Sequence, residues 1–265
     1  MTTPSHSQKT VDKPIAKQDE KQVLVSVRGV DKVFTKGDEK VYALRDINLD
    51  VYQAEYLSIM GPSGSGKSTL FNMVGALDKP TAGQVTVGGV SLPTLGSREL
   101  SYFRCKHIGY VFQTYNLIPW LSALGNVMLP LTFLGKDDAT AEKRAKHVLD
   151  IVGLGHRLDH TPGECSGGQQ QRIAIARALA NEPAIILADE PTANLDQKTG
   201  EEIIILLSQL CKDEGVTVIT ATHDYKMLAA SDRIVWIKDG RVDKIENAED
   251  MDINVGSITV DQPKK

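Results

Sequence analysis

The residue types and spacing that most clearly indicate chemistry occur in one glycine-rich run. It reads Gly61-Pro62-Ser63-Gly64-Ser65-Gly66-Lys67-Ser68-Thr69 and fits the pattern G-x-x-x-x-G-K-[ST], which favours a phosphate-binding loop over a simple glycine-rich turn. Glycines let the backbone curl so that several N–H groups point at phosphate oxygens, and the dipole of the following helix adds to this field. The pattern assigns Lys67 to the β- and γ-phosphates of a nucleotide and the Ser68 hydroxyl to Mg²⁺.

Two adjacent carboxylates, Asp189 and Glu190, end a second apolar run, residues 185–188. Successive side chains of a strand point in different directions, so the two can do different work. Asp189 is suited to hold Mg²⁺, directly or through water, and Glu190 to polarise a water in line with the γ-phosphate. Beside a phosphate loop, this division of roles is favoured over a merely polar strand end.

Short apolar runs alternate with helical patterns around these residues, which predicts an α/β fold with a mostly parallel sheet and crossover helices. The predicted buried strands are residues 56–60, 108–112, 184–188, 217–220 and 234–237, and the predicted helices are 67–77, 139–152, 169–180 and 198–212. Residues 24–30 and 44–51 alternate as two further strands joined by a turn at 35–40. The middle of the chain, about 92–165, is predicted to form a helical lobe.

Composition excludes several classes of protein. Apolar residues make up 41% and charged residues 24% of the 265, which is ordinary for a soluble globular protein. The net charge of −4 gives no support for nucleic-acid binding. Cys105, Cys165 and Cys211 are widely separated and indicate reduced thiols in the cytosol. No run approaches the roughly 18 apolar residues of a membrane helix. Residues 1–22 are expected to be a disordered tail without a signal peptide, and 247–265 a flexible one.

Six motifs follow one another in a fixed order along the chain. They are the phosphate loop, Gln113 after Tyr110-Val111-Phe112, Ser166-Gly167-Gly168-Gln169, residues 185–190, Asn194-Leu195-Asp196, and His223. This order resembles the ATP-binding-cassette ATPases, the motor subunits of ABC transporters, over about residues 23–240. The resemblance implies an ATPase domain over 23–246 with a P-loop NTPase core, an antiparallel β subdomain and an α-helical signature subdomain.

The resemblance also implies that two copies face head to tail and bind two ATP molecules between them. Each ATP would contact the phosphate loop of one copy and the signature segment of the other, which here consists of Ser166, Gly167, Gly168 and Gln169. That segment begins a helix, and free N–H groups at a helix start suit a phosphate. Asp196 resembles the residue that contacts the opposite copy.

Further roles carry over position by position. Gln113 resembles the glutamine that binds Mg²⁺ and reports the γ-phosphate to the helical lobe, and His223 the histidine that contacts the γ-phosphate and Glu190. Phe34 fits the position of the ring that stacks on adenine, where the family usually has Tyr, and Tyr42 is the alternative. Cys165 replaces a usual Leu, so a change in packing is expected; redox sensing is the alternative.

Residues 113–131, together with Ala76-Leu77-Asp78-Lys79-Pro80-Thr81, resemble the subgroup of macrolide exporters and lipoprotein-releasing complexes (MacB/LolD-like). The resemblance implies a membrane permease partner with four spanning helices and a large extracytoplasmic domain, and a cassette on the inner face of the cell membrane. The apolar segment 116–134 is expected to offer this partner a groove or, alternatively, to form the core of the helical lobe. Two other functions stay open: a regulatory cassette that controls envelope remodelling without transport, and a soluble cassette acting on ribosomes or DNA.

Overall fold

The computed structural model of the protein describes residues 22–37 and 39–251. The predicted N-terminal tail therefore lies outside the described residues except for Gln22, and the predicted C-terminal tail lies outside them from residue 252 onward. Residues Ala248–Asp250, within that second prediction, form a short 3₁₀ helix. The Ala248 N–H donates to the carbonyl of Asp232, the residue directly before the strand Arg233–Lys238, and this bond anchors the short helix.

A central sheet contains all five predicted buried strands. In the described part of the chain it has six strands: β3 (Tyr56–Met60), β6 (Ile108–Val111), β7 (Ile185–Asp189), β8 (Thr217–Thr222), β9 (Arg233–Lys238) and β10 (Arg241–Asn247). Their order across the sheet is β10-β9-β3-β8-β7-β6. The pairs among β9, β3, β8, β7 and β6 are parallel, and β10 is antiparallel to β9. Every residue of β3 and β8 is buried, as expected for strands covered on both faces.

A second, antiparallel sheet packs beside the first and consists of β1 (Val23–Lys36), β2 (Glu39–Tyr52), β4 (Ala82–Val87) and β5 (Val90–Ser91). Its strand order is β2-β1-β4-β5. The predicted strands at 24–30 and 44–51 are confirmed, but β1 and β2 extend into the predicted turn, as far as Lys36 and from Glu39.

Six α-helices surround the central sheet in the described ranges. They are α1 (Lys67–Val74), α2 (Ser97–His107), α3 (Ala123–Phe133), α4 (Asp138–Ile151), α5 (Gly167–Leu179) and α6 (Gln197–Asp213). Helix α1 ends three residues before its predicted end. At Gly75 a Cβ atom would lie 1.4 Å from the Tyr110 hydroxyl, and Ala76 has a positive φ, so the chain turns away there. No helix of the described chain is long and apolar enough to cross a bilayer.

Two hydrophobic clusters cover opposite faces of the central sheet. Along β7, Ile186 and Ala188 belong to one cluster, and Ile185 and Leu187 to the other. The first cluster includes apolar residues of α3, α4, α5 and α6, and the second includes the antiparallel sheet, α1 and α2. The ends of β3, β7 and β8 are therefore held rigidly at one edge of the sheet. The phosphate loop, Glu190 and His223, which are predicted site residues, directly follow these three strand ends.

Candidate active site

The phosphate loop connects β3 to α1 in a backbone shape that requires glycine at two places. Gly66 is the N-cap of α1 with a φ of 109°, and a Cβ atom there would lie 2.7 Å from the Ala43 carbonyl oxygen. At Gly61 a Cβ atom would lie 2.2 Å from the Ile237 carbonyl oxygen. The loop is thus packed against β2 and β9, which holds its N–H groups in a preformed curve.

Lys67 spans this loop at the first position of α1. Its Nζ donates hydrogen bonds to the carbonyl oxygens of Gly61 at 2.8 Å and Pro62 at 3.1 Å. The Ser65 hydroxyl is buried and has no hydrogen-bond partner among the described residues. The ammonium group therefore stands at the mouth of the loop, where phosphate oxygens can replace the two carbonyls.

A cavity of about 700 Å³ opens beside the loop. The predicted residues that line it are Ser63, Gly64, Gly66, Lys67, Ser68, Thr69, Gln113, Asp189, Glu190 and His223. Val41, Tyr42, Ala43 and Ala193 complete the lining. Residues from five separate parts of the sequence thus meet at one edge of the sheet, as the resemblance implies. Gly61, Pro62 and Ser65 support the loop from outside this lining.

Glu190 is fixed by contacts from the end of β8. Its Oε1 lies 2.8 Å from His223 Nδ1, and the Thr222 hydroxyl donates to its Oε2 at 3.4 Å. The Glu190 N–H donates to the Ala221 carbonyl at 2.9 Å, and its φ is 46°, which is unusual for a residue other than glycine. The carboxylate is only 18% exposed, whereas the His223 side chain is 73% exposed. The Glu190–His223 pair implied by the resemblance is present in the geometry, and Thr222 is a contact that sequence reasoning missed.

Asp189 ends β7 and directly precedes Glu190. Burial raises the pKa of the Asp189 carboxyl, the neighbouring Glu190 raises it further, and the Lys67 ammonium lowers it. A carboxyl that is both desolvated and beside a like charge is stabilised in its ionised form by an additional cation.

The oxygen ligands in the cavity fit Mg²⁺. Ser68, Gln113 and Asp189 offer hydroxyl, amide and carboxylate oxygens around one space, and Mg²⁺ in nucleotide sites commonly takes one or two carboxylates plus phosphate oxygens and water. Across residues 22–37 and 39–251, no group of three or more His, Cys, Asp or Glu side chains could hold a metal without such help. The chain therefore fits a metal that arrives with the nucleotide.

Gln113 is tied to the segment that follows Glu190. Asn194 Nδ2 donates to the Gln113 carbonyl at 2.9 Å. This contact joins the end of β6 to the segment before α6 across the cavity. The sequence motif includes Asn194, but the resemblance indicates a role only for Asp196.

The signature segment builds the start of α5. Ser166 is the N-cap; its hydroxyl accepts from the Gln169 N–H at 3.3 Å, and the Gln169 side chain accepts from the Ser166 N–H at 3.0 Å. This reciprocal pair is a capping box, which fixes the helix start. Ser166, Gly167, Gly168 and Gln169 do not line the cavity of their own chain, as far as the described residues define it. A helix start suited to phosphate is therefore separated from the phosphate loop of the same chain.

Comparison with known proteins identifies the arrangement. A family model described as ABC transporter matches residues 44–193. The chain belongs to the ABC transporter family. An ABC transporter ATP-binding protein of Thermotoga maritima is 51% identical over 215 residues, which are 81% of this chain and 92% of that protein. The lipoprotein-releasing system ATP-binding protein LolD 2 of Caulobacter vibrioides is 44% identical over 220 residues, which are 83% of this chain and 96% of that protein.

A solved structure agrees with this assignment. The ATP-binding cassette MJ0796 of Methanocaldococcus jannaschii, a dimer in a post-hydrolysis state bound to ADP and Pi, is 47% identical to this chain with a TM-score of 0.78. The match covers 85% of this chain and 99% of that one. The cassette described here is an ABC ATPase, and ATP is its nucleotide.

Two of the cassette's elements meet closely at Gly168. A Cβ atom at this position would lie 2.3 Å from Thr199 Cγ2 in the first turn of α6. Thr199 is itself held by Asp196, the N-cap of α6, whose carboxylate accepts from the Thr199 N–H at 3.1 Å and the Thr199 hydroxyl at 2.6 Å. Glycine is thus required within one chain for helix packing, in addition to any contact with phosphate.

Replacement of Gly168 by Ala is expected to destabilise the cassette by about 1–3 kcal/mol, because the added methyl overpacks the contact with Thr199. This cost exceeds the helix-propensity gain of about 1 kcal/mol from Gly to Ala. Thr199→Ser removes the opposing methyl but keeps the hydroxyl bond to Asp196, so the double variant should regain most of the loss. Urea unfolding measures both; Gly163→Ala, where a Cβ atom meets nothing within 4 Å, is the control. If all variants had the same free energy of unfolding, α5 and α6 would be able to move apart at Gly168 without loss of stability.

Cys165 precedes the signature segment as a buried residue of the larger helical cluster. Burial raises the pKa of the Cys165 thiol, which keeps it protonated and unreactive. These observations support the interpretation of Cys165 as a packing residue rather than a redox sensor.

The two candidates for the aromatic side chain that stacks on adenine, Phe34 and Tyr42, lie on neighbouring strands of the cassette. Tyr42 lines the cavity, and Phe34 does not. Phe34 is paired across the strands with Val41, which also lines the cavity, so the two side chains share one face. Both rings are about half exposed. Phe34 stays the prediction and Tyr42 the alternative.

Proposed function

We propose that the cassette hydrolyses ATP in two composite sites of a head-to-tail dimer and transmits the resulting motion to a separate membrane permease. One observation carries the dimer: the cavity of one chain contains the phosphate loop, Asp189 and Glu190, yet excludes the capped start of α5. The exposed edge of the cavity is therefore completed by the α5 start of a second copy. The relative MJ0796 has been solved as a dimer with ADP and Pi.

In the proposed reaction the chain supplies three functions. Lys67 releases the carbonyl oxygens of Gly61 and Pro62 and binds the β- and γ-phosphates. Glu190 orients a water in line with the γ-phosphate and accepts its proton, and His223 holds Glu190 in place and contacts the γ-phosphate. Mg²⁺ held by Ser68, Gln113 and Asp189 would spread the phosphate charge when bound.

The second copy supplies the remaining contacts. Gly167 and Gly168 of the partner present free N–H groups, and Ser166 its hydroxyl, to the γ-phosphate at the positive end of the α5 helix dipole. Asp196 contacts the opposite copy. Loss of the γ-phosphate removes the negative charge that joins the two surfaces, so hydrolysis releases the dimer.

A groove of about 400 Å³ between α2, α3 and α5 is the proposed docking surface for the membrane subunit. Pro130 and Phe133 from the predicted apolar segment line it, and Phe133 is 73% exposed. Gln113 follows Phe112, another lining residue, so the groove and the ATP cavity are joined by a short backbone segment. Trp120 is 78% exposed but lies outside the lining.

We infer from the LolD- and MacB-named relatives that the partner has four spanning helices and a large extracytoplasmic domain. The cassette then works in the cytoplasm, on the inner face of the cell membrane. Export of a lipoprotein, a drug or a peptide fits this pairing.

Purification of the tagged cassette from detergent-solubilised membranes, followed by mass spectrometry, tests the proposal. A co-purifying membrane protein of another topology would contradict it.

Ser101→Trp is expected to abolish assembly with the membrane subunit, because Ser101 is exposed on α2 and lines the groove, which a large ring would fill. ATP hydrolysis by the isolated cassette should change less than twofold, since α2 lies outside the ATP cavity. Co-purification and ATPase assays measure the two effects. Ser97→Trp, one turn earlier on α2, is the matched control, because Ser97 is also exposed but lies outside the groove lining. Retained assembly in Ser101→Trp would place the partner elsewhere.

A further inference from the structure

A second cavity, of about 490 Å³, lies on the other side of α3 from the proposed docking groove. Its apolar wall includes Leu131, which is buried, and Leu134 at the end of α3. Its basic lining consists of Lys106, Lys136, Lys143, Arg144 and His147, whereas Glu182 is the acidic residue among the described lining. In a chain with a net charge of −4, this concentration of positive charge indicates an anionic ligand.

Arg144 is the fixed member of this lining. Its Nε donates to the Ala180 carbonyl at 3.1 Å, its Nη2 donates to the Leu179 carbonyl at 3.2 Å, and its Nη1 lies 3.7 Å from the Glu182 carboxylate. These contacts hold the guanidinium at the C-terminal end of α5, within ion-pair distance of Glu182. Among the described residues, Glu182 forms its ion pair with Arg144 and none with a lysine of the lining.

Lys106, Lys136 and Lys143 carry the available charge. All three are exposed, and none forms an ion pair with a described carboxylate. Lys106 lies over the Tyr102 ring, so Lys136 and Lys143 are the two without such a contact. Lys146 on the same helix differs, because it pairs with Glu142 one turn away and lies outside the cavity. Helix α4 thus presents an unpaired lysine to the cavity and a paired one elsewhere.

The position of the cavity connects it to the membrane side of the cassette. Asn181 lines both this cavity and the docking groove, and the last turn of α3 separates the two. Phe133 projects from that turn with 73% exposure, three residues before Lys136. An exposed aromatic ring beside lysines is a combination found at membrane–water interfaces.

We propose that this cavity binds the phosphate headgroup of an anionic phospholipid in the inner leaflet, next to the docked permease. The lysines contact the phosphate, and Leu131 and Leu134 contact the apolar part of the lipid. The membrane-facing orientation rests on the docking groove of the proposed function. An apolar wall beneath a basic rim favours an amphiphile over an acidic protein segment, which needs no such wall.

Flotation of the full chain with vesicles tests the proposal. Neutral phosphatidylcholine vesicles are compared with vesicles that contain phosphatidylglycerol, at matched ionic strength. Binding to the anionic vesicles should exceed binding to the neutral ones. It should fall about fivefold in Lys143→Gln and again in Lys136→Gln/Lys143→Gln, while Lys146→Gln, with the same charge change, should alter it less than twofold. ATP hydrolysis by these variants in solution should stay unchanged, which shows that they fold.

Each alternative has its own signature. Equal losses of vesicle binding in Lys143→Gln and Lys146→Gln would show that binding depends on non-specific electrostatic attraction, and this result would overturn the proposed site. Displacement from vesicles by inorganic phosphate, with chloride at the same ionic strength as control, would assign the cavity to the free anion. Binding of a soluble acidic peptide without vesicle binding would assign it to a protein partner. Ser101→Trp separates this proposal from the proposed function: it should lose the permease and keep vesicle binding.

Discussion

Glu190→Gln is expected to slow ATP hydrolysis by the cassette about a hundredfold or more and to leave ATP affinity within about twofold. The amide keeps the size of the side chain and can still accept a hydrogen bond from His223 Nδ1, which lies 2.8 Å from Glu190 Oε1. It cannot accept the proton of an attacking water. The loss therefore belongs to the chemical step rather than to nucleotide binding.

The same variant should accumulate as a dimer in the presence of Mg·ATP, because the γ-phosphate that joins the two copies in the proposed dimer persists. Size-exclusion chromatography with ATP, and single-turnover hydrolysis of radiolabelled ATP, measure the two effects. Glu142→Gln on α4 makes the same charge change outside the ATP cavity and should behave as the wild type. A variant that stays monomeric with ATP bound would contradict the composite site, and one that hydrolyses at the normal rate would remove Glu190 from its assigned role.

Local chemistry explains which parts of the site could be predicted from sequence. The phosphate loop is a contiguous pattern in which each glycine meets a backbone requirement, so its shape follows from its spacing. The pairing of Glu190 with His223 joins residues 33 apart, on the ends of two strands. Spacing alone does not predict that contact, and it followed from the resemblance to cassette ATPases.

Other contacts depend on how helices pack and leave no local signal. Gln171 is fully buried, and its Nε2 donates to the Pro191 carbonyl at 2.9 Å, directly after Glu190. In the sequence it is one of three adjacent glutamines, and nothing distinguishes it from its neighbours. The contact of Gly168 with Thr199 is hidden in the same way, because a glycine at a helix start equally suits a tight turn or a phosphate contact.

Three strands, β4, β5 and β10, lie outside the sequence prediction. β5 has two residues, and β4 buries only Val85 and Val87. β10 is exposed except for the half-buried Val242 and Glu246, and it carries Arg241, Asp243 and Lys244 at the edge of the central sheet. Charged residues on an edge strand limit unwanted pairing with other chains, and they also remove the apolar signal that marks a strand. Within the helical lobe, α4 matches the predicted helix at 139–152 to within one residue at each end, whereas α3 is predicted only as an apolar segment and α2 only as part of the lobe.

A mixture of two inactive variants is expected to regain ATPase activity if each site draws on both copies. Lys67→Ala removes the ammonium group from the phosphate loop and should weaken ATP binding about 10- to 100-fold, as the loss of a charge-assisted hydrogen bond predicts. Ser166→Asp keeps a good N-cap for α5 but places a negative charge against the γ-phosphate. It should abolish hydrolysis and leave ATP binding by the monomer unchanged. Ser166→Asn, an uncharged cap, is the matched control and should retain more activity.

The mixed dimer decides between the two possible arrangements. If each site takes its phosphate loop from one copy and its signature segment from the other, both substitutions fall in one site of the mixed dimer. The other site then combines the intact phosphate loop of the Ser166→Asp copy with the intact signature segment of the Lys67→Ala copy. Equal mixing should then restore about a quarter of the wild-type rate, since about half of the dimers are mixed and each has one working site. If Ser166 instead served the phosphate loop of its own chain, every site would carry one lesion and the mixture would stay inactive. Restoration therefore requires that the ATP bound by Lys67 of one copy is contacted by Ser166 of the other.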